Sequence, residues 1–272
     1  MAKVRVVTIN AFRDFTDFVE GASKARQQLP WYRGCGDTSY TLVPTLYRDQ
    51  KRKAIGELIE LEERLLRWFK QKSVPYQERE LCDDPWEYLF FMQHHRFPTR
   101  LLDWTESPLV GLYFALTDPP RTRQNKEERG KGAAVWVLRP DVWNEAAFEG
   151  MPYRHKIPCV GDEELRGYEP WTKAKAMKPK PLAMYGTHNT RRIAAQQGTF
   201  VVFGEDTDPM ERIYGKGGFQ DKGEVLVKLE IPADRVGDVL SSLTAVGITD
   251  SLVLPDLEGL AMETKRRFEF KV

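Results

Sequence analysis

A polar segment, from Gln93 to Pro108, separates two apolar runs and limits the folds open to this chain. The flanking runs, 86–92 and 109–116, have the composition of buried helices. Ser107 supplies an N-cap for the second helix, and Pro108 suits its first turn because that position needs no N–H donor. Since both neighbours pack into a core, the imidazole, guanidinium, carboxylate and hydroxyl groups between them are expected to be held in place. The segment therefore predicts a functional site.

Composition excludes several classes of protein. The 272 residues, 41% of them hydrophobic, are enough to bury a large core. The 41 Lys and Arg residues nearly cancel the 40 Asp and Glu residues, so no global field attracts nucleic acid or anionic lipid. Three cysteines without a CxxC pair argue against a disulfide framework and favour a reducing cytoplasm. The first ten residues lack an apolar signal region, and no window suits a membrane span, so we expect no membrane contact.

The pattern along the chain predicts one α+β domain over 1–272. Helices are predicted at 11–28 with Asn10 as N-cap, at 55–70, from Pro232 to Val246, and at 257–268. Strands are predicted at 31–34, 133–138, 199–203 and 224–231. Residues 118–132 predict an exposed loop, and the Pro- and Lys-rich segment 150–190 predicts an irregular lid. No repeat or linker divides the chain.

Four motifs together resemble the FRG domain family, which is named for its aromatic-Arg-Gly motif. They are Tyr32-Arg33-Gly34, the run from Gln93 to Trp104 continued by Tyr113-Phe114-Ala115, the run Arg192 to Phe200, and the run Leu254 to Ala261. The resemblance covers 31–261, and the one departure in the first motif is Tyr in place of Phe.

In the order of its motifs this family resembles the ADP-ribosyltransferase superfamily, which implies a central, strongly bent or split β-sheet flanked by helices. Such proteins carry an Arg on a first strand, small hydroxyl residues on a second strand that leads into a helix, and a Glu before a later strand. The matching positions here are Arg33, the run Thr105-Glu106-Ser107, and Gln197. Gln197 departs from the pattern, and a neutral amide stabilises a developing cation less than a carboxylate does.

The resemblance implies NAD as substrate and cleavage of its nicotinamide–ribose bond through an oxocarbenium-like state. Arg33 would grip the pyrophosphate, Gly34 would let the dinucleotide approach the backbone, and Gln197 would bind the ribose 2′-hydroxyl. Thr105 and Ser107 would hold Arg33 and the ribose hydroxyls. Tyr32 or Tyr113 would stack on the nicotinamide, and His94 and Asp103 are further candidates for binding NAD. The candidates for the missing catalytic acid are Glu106 and Glu258.

The acceptor is expected to be RNA, DNA or protein, and the protein a bacterial toxin or anti-phage defence effector with an antitoxin or immunity protein as partner. A nucleic-acid acceptor is physically reasonable because basic residues gather in two segments, although solvated surface charge explains each cluster equally well. These residues are Arg121, Arg123, Lys126, Arg129 and Lys131, and then Lys173, Lys175, Lys178 and Lys180.

Each candidate also has a structural interpretation. Arg33 would serve as an ion pair, Asp103 would pair with Arg100, and Ser107 would only cap its helix. Asp256 and Glu258 would favour a helix start, and His94 and His95 lack ligand-spaced partners, so no metal site is expected. Two further functions stay open, a non-catalytic FRG module that binds a nucleotide or a protein, and an NAD glycohydrolase. The chain has no G-x-S-x-G, P-loop or G-x-G-x-x-G motif.

Overall fold

The computed structural model describes residues 2–24, 28–48, 54–77, 81, 84–118, 131–148, 153, 157–187 and 190–270. Within them seven strands form one sheet, in the order β1-β7-β4-β2-β3-β6-β5. The strands are β1 (Arg5–Thr8), β2 (Trp31–Cys35), β3 (Leu101–Thr105), β4 (Ala133–Leu138), β5 (Leu182–Met184), β6 (Gly198–Val202) and β7 (Leu226–Ile231). Only β1 and β7 run parallel; the other neighbours in the described sheet are antiparallel. The α+β class is confirmed.

Ten α-helices flank the sheet in the described part of the chain. They are α1 (Phe12–Ser23), α2 (Ile55–Lys72), α3 (Pro85–His94), α4 (Pro108–Thr117), α5 (Pro140–Ala147), α6 (Arg191–Ala195), α7 (Met210–Lys216), α8 (Val236–Ala245), α9 (Asp250–Val253) and α10 (Leu257–Arg267). Among these residues no helix combines the length and the apolar composition that crossing a membrane requires.

The sheet is weakly joined between β2 and β3. These strands share a single residue pair, Tyr32 with Thr105, whereas β2 pairs with β4 along its whole length and β3 with β6 likewise. Beyond this joint no ladder connects the two strands, so the sheet consists of two halves that diverge from Tyr32 toward Cys35.

The packing of the two faces follows this division. One face is covered by a continuous cluster that includes Trp31, Trp104 and Phe203. The other face carries two separate clusters, one containing Tyr32 with side chains of β4 and β7, and one containing Leu101 with side chains of β5 and β6. The continuous cluster spans both halves of the sheet, whereas on the second face the joint between the two separate clusters is left with polar residues.

Helix α4 lies directly on β2 because two glycines face each other. A Cβ added to Gly34 would lie 2.2 Å from the Gly111 carbonyl oxygen and 2.3 Å from the Ala115 nitrogen. A Cβ added to Gly111 would lie 2.7 Å from the Cβ of Tyr32. The space in front of Gly34 is therefore filled by helix backbone, which corrects the expectation that a dinucleotide approaches the chain there.

A buried ion pair connects α2 to the start of β3. Arg100 Nη2 lies 3.2 Å from Glu62 Oε2, with side-chain exposures of 0% and 2%, and donates a 2.7 Å hydrogen bond to the Glu169 carbonyl. Burial raises the pKa of Glu62, and Arg100 opposes that rise. Of the two structural alternatives for Arg100, pairing with Asp103 or with backbone, the pair with Asp103 is wrong, because the Arg100 side chain is buried in the core and bonds the Glu169 carbonyl.

Most of the predicted elements are present with shifted ends. The strand at 133–138 has the predicted limits, and Ser107 caps α4 by accepting a hydrogen bond from the Val110 N–H. The first helix ends at Ser23 and has Ala11, not Asn10, as its N-cap; Asp14 accepts from both backbone N–H groups.

The expectation of a lid at 150–190 is wrong for its described part, 157–187, which packs Leu165, Tyr168 and Met177 into the core and supplies β5. The predicted loop at 118–132 lies largely outside the described residues, together with Arg121, Arg123, Lys126 and Arg129.

We predict that Gly34→Ala destabilises the protein by about 1–3 kcal/mol, because the new methyl group would overlap the α4 backbone. Gly56→Ala is the matched control: it lies in α2 with no atom within 4 Å of the added Cβ, and it is expected to stabilise by about 0.5–1 kcal/mol. Urea unfolding measures both. Equal stabilities of the two variants would contradict the close approach of α4 to β2.

Candidate functional site

Arg33 bridges the two halves of the sheet. Its Nη1 donates a 2.5 Å hydrogen bond to the Asp103 carbonyl oxygen and lies 3.8 Å from the Asp103 carboxylate. Because side chains alternate along a strand, Arg33 leaves β2 on the face opposite Tyr32 and reaches the edge of β3 where the backbone ladder is missing. Its side chain is 14% exposed. The guanidinium thus replaces a strand pair and remains at the surface of the opening.

Asp103, the only exposed residue of β3, lies at the centre of a polar network. Its carboxylate accepts a 2.7 Å hydrogen bond from Gln93 Nε2, and the amide oxygen of Gln93 accepts one from the Thr99 hydroxyl. The side chain of Asp103 is 57% exposed. This network fixes the end of α3 to β3 and presents a carboxylate at the opening between the two halves of the sheet.

The end of β3 is fastened to the segment before β6. The Thr105 hydroxyl donates to the Gln196 carbonyl at 2.6 Å and accepts from the Ser107 N–H at 3.0 Å. The Glu106 N–H donates to the Gln197 carbonyl at 3.1 Å. Gln197 has a φ of 46°, a left-handed backbone that non-glycine residues adopt at a cost of about 1–3 kcal/mol. Its side chain is exposed.

Glu106 is a half-buried carboxylate in this arrangement. Its Oε1 accepts a 2.9 Å hydrogen bond from the Tyr185 hydroxyl, which in turn accepts a 3.3 Å bond from Gln28 Nε2. The Tyr185 ring contacts Trp31 edge-on, with centroids 5.6 Å apart. Burial, with a further contribution from Glu106, raises the pKa of Tyr185 to about 12, so the phenol stays protonated near neutral pH and donates to the carboxylate.

His94 belongs to a second charged group around the starts of α6 and α10. Burial is the main cause that lowers the pKa of His94; His95 and Arg192 lower it further, and Asp256 raises it. Arg192 Nη2 lies 3.9 Å from the Glu258 carboxylate, which is 65% exposed. Asp256 caps α10 by accepting the Gly259 N–H at 2.9 Å, which confirms a helix-start role for it.

The structure brings the sequence candidates into two neighbouring groups. Arg33 contacts Asp103, two residues before the end of β3. Thr105, at that end, is hydrogen-bonded to the Gln196 carbonyl and the Ser107 N–H, and Glu106 is hydrogen-bonded to the Gln197 carbonyl. The hydroxyls of Thr105 and Ser107 are bonded to backbone groups, not to Arg33 as expected.

Two tyrosines depart from the expected site. Tyr32 and Tyr113 are each 2% exposed in the cluster under α4, and the Tyr113 hydroxyl donates to Asp250 Oδ1 at 2.6 Å. Neither ring has a free face on which nicotinamide could stack. Sequence reasoning missed Tyr185 and Gln28, since no motif marks either of them and only the fold brings them to Glu106.

No group of three or more His, Cys, Asp or Glu side chains that could hold a metal ion occurs among the described residues. The arrangement offers instead guanidinium groups for an anion, and carboxylates at 103 and 106 for hydroxyl groups or a developing positive charge.

One family of known proteins has a sequence model that matches part of this chain. Residues 28–124 match the family model described as FRG domain, so this part of the chain is similar to that family. The match runs through β2, α3, β3 and α4, while β6 and the start of α10 lie outside it. No curated protein and no solved structure matches the chain.

We predict that His94 titrates below 6.5, the usual value, and that Arg192→Gln moves its pKa upward because one repelling positive charge is lost. In the folded protein the protonated form is disfavoured, so His94 reduces stability as the pH falls below about 6.5. Imidazole NMR signals followed through a pH titration measure the shift. Arg212→Gln, at an exposed position of α7, is the control and should leave the pKa of His94 unchanged. A pKa unaltered by Arg192→Gln would refute the proximity.

Proposed function

We propose that this protein is an NAD-dependent ADP-ribosyltransferase. In the reaction the bond between nicotinamide nitrogen and ribose C1′ breaks, and its electron pair stays on nicotinamide. An acceptor nucleophile then bonds to C1′ and releases its proton. The ribosyl group passes through a cation-like state, so the enzyme must hold a negative group near C1′.

The observation that supports this proposal is the position of Glu106 beside Gln197. The superfamily that the motif order resembles carries a Glu where Gln197 stands. Glu106 is held at the same end of the sheet, because its N–H bonds to the Gln197 carbonyl and its carboxylate is fixed by Tyr185. A carboxylate supplied by the residue after β3 would then replace the one missing before β6. Glu258 is less suited, since it is 65% exposed and faces Arg192.

The other residues have distinct parts in this proposal. Arg33 binds the diphosphate of NAD, and Asp103, Thr105 and Ser107 position the strand end and its hydrogen-bonding groups. Gln197 donates to the ribose through its exposed amide. The acceptor is a macromolecule, RNA, DNA or protein, and labelled NAD incubated with separate pools of each would identify it.

Two observations favour a different function, a binding module of the FRG family without turnover. The amide of Gln197 carries no charge, and the Thr105 and Ser107 hydroxyls are committed to backbone hydrogen bonds. Such a module would bind NAD or another nucleotide and release no nicotinamide. An NAD glycohydrolase would release nicotinamide with water as the acceptor, and no label would pass to a macromolecule.

We expect the purified protein to release nicotinamide from NAD, and Glu106→Gln to slow that release by about a hundredfold or more while NAD affinity stays nearly unchanged. Chromatography of the nicotinamide formed measures the rate. Glu163→Gln, an exposed carboxylate paired with Arg166, is the control for removing one surface charge.

Glu258→Gln tests the competing assignment of the acid. A large loss of rate in this variant, with none in Glu106→Gln, would transfer the role to Glu258. Full activity in both variants would mean that neither carboxylate stabilises the transition state, and binding of NAD without any nicotinamide release would favour the binding module.

A further inference from the structure

Large apolar side chains gather at the surface of the last helices. Twelve large hydrophobic side chains are exposed among the described residues, and six of them lie between 246 and 270. A single exposed apolar side chain is ordinary, whereas a group of them is typical of a surface where another molecule docks. The six, each 52–82% exposed, are Val246, Leu252, Leu257, Leu260, Phe268 and Phe270.

Helix α10 has one side fixed to the protein. Glu263 accepts a 3.0 Å hydrogen bond from the Ser251 N–H, and Arg266 Nε donates to Asp250 Oδ2 at 2.9 Å. Gly259 is buried on the same side of the helix. Because these three positions of α10 are three or four residues apart, they share one side, and the opposite side faces solvent.

The side of α10 that faces solvent carries an apolar stripe. Its members are four, three and four residues apart, the spacing that places side chains in one row along a helix. They are Leu257, Ala261, Thr264 and Phe268, all exposed, and Leu260 lies beside the row. The Thr264 hydroxyl donates to the Leu260 carbonyl at 2.8 Å, so it requires no further partner. Two packed helices bury a seam of this kind between them.

The charges beside the stripe make it complementary to itself in one orientation. Glu258 lies in the first turn and Lys265, seven residues further on, in the last, so both flank the stripe on the same side. They are equally far from the midpoint between Ala261 and Met262. A two-fold axis through this midpoint, perpendicular to the helix axis, would place Glu258 of each copy opposite Lys265 of the other. The helix dipoles of such an antiparallel pair also attract each other.

Both charges can be reached from solvent. The Lys265 side chain is exposed and makes no hydrogen bond or ion pair with another described residue. The Glu258 carboxylate is 65% exposed, and its separation of 3.9 Å from Arg192 Nη2 is longer than a hydrogen bond. A second cation can therefore approach this carboxylate while Arg192 stays in place.

We propose that α10 is a self-association surface, on which a second copy of this chain docks its own α10 in antiparallel orientation. The apolar stripes form the centre of the contact, with Leu257 of one copy near Phe268 of the other, and two pairs of Glu258 with Lys265 form its rim. Because a two-fold axis relates the copies, each uses the same patch and the assembly closes as a dimer.

Sedimentation equilibrium of the full chain, between about 1 and 500 μM, tests the proposal. The mass should rise with concentration from 31.5 kDa toward twice that value. Leu257→Gln should weaken the association by about tenfold or more, because every dimer buries this residue twice. Val74→Gln, which replaces an exposed aliphatic residue outside α10, is the control and should change nothing. The mass of a single chain at every concentration, or undiminished association of Leu257→Gln, would overturn the proposal.

Exchanging the rim charges tests the orientation. Glu258→Lys and Lys265→Glu each place like charges at both rim contacts of a dimer, so either variant alone should associate at least about threefold more weakly. In an equimolar mixture, a dimer with one copy of each variant joins opposite charges at both contacts, and the association should recover. Circular dichroism checks that each variant is folded. No recovery by a mixture of the two folded variants would overturn the antiparallel dimer.

Discussion

The contact between α4 and β2 decides how the rest of this structure is arranged. Gly34 and Gly111 bring helix and strand backbones so close that α4 covers one face of β2, while β4 pairs with β2 along one edge. Only Tyr32 then pairs with β3, and the sheet opens beyond it. Arg33 crosses the opening to the Asp103 carbonyl and substitutes a side-chain hydrogen bond for a backbone one. The three residues of the aromatic-Arg-Gly sequence thus have separate structural roles. The Tyr32 ring is buried, Arg33 bridges the two strands, and Gly34 allows the close contact with α4.

The elements that sequence predicted well are those whose own side chains form a core face. β4 is buried at all six positions and has the limits expected from its apolar run, and α4 has both its apolar composition and its Ser107 cap. β1 is a four-residue edge strand that is largely exposed, so no burial pattern marks it. β5 has only three residues. At Ala183 its backbone N–H and carbonyl are both hydrogen-bonded to the side-chain amide of Asn144, each at 2.8 Å. Such partners come from the fold and leave no period in the sequence.

The candidate site divides in the same way. Arg33, Asp103, Glu106 and Gln197 were found from motifs; Arg33 contacts Asp103 at the joint, and Glu106 contacts Gln197 just past the end of β3. Their roles could not be predicted, because a motif does not reveal which hydrogen bonds a residue has already made. Thr105 gives its hydroxyl to the Gln196 carbonyl, and Tyr113 lies in the core beside Asp250. Tyr185 and Gln28 act on Glu106 from distant positions, and only the packing of Tyr185 against Trp31 brings them there.

The joint also explains why charge gathers where it does. Three apolar clusters stabilise the two halves of the sheet, and the region between the two clusters on the α3–α4 face has no room for a further core. Its residues must then be polar and hydrogen-bonded to one another, as Gln93 and Asp103 are. The Tyr185 phenol holds the Glu106 carboxylate in place by a hydrogen bond, and under the proposed function a carboxylate held in this way would stabilise the ribosyl cation.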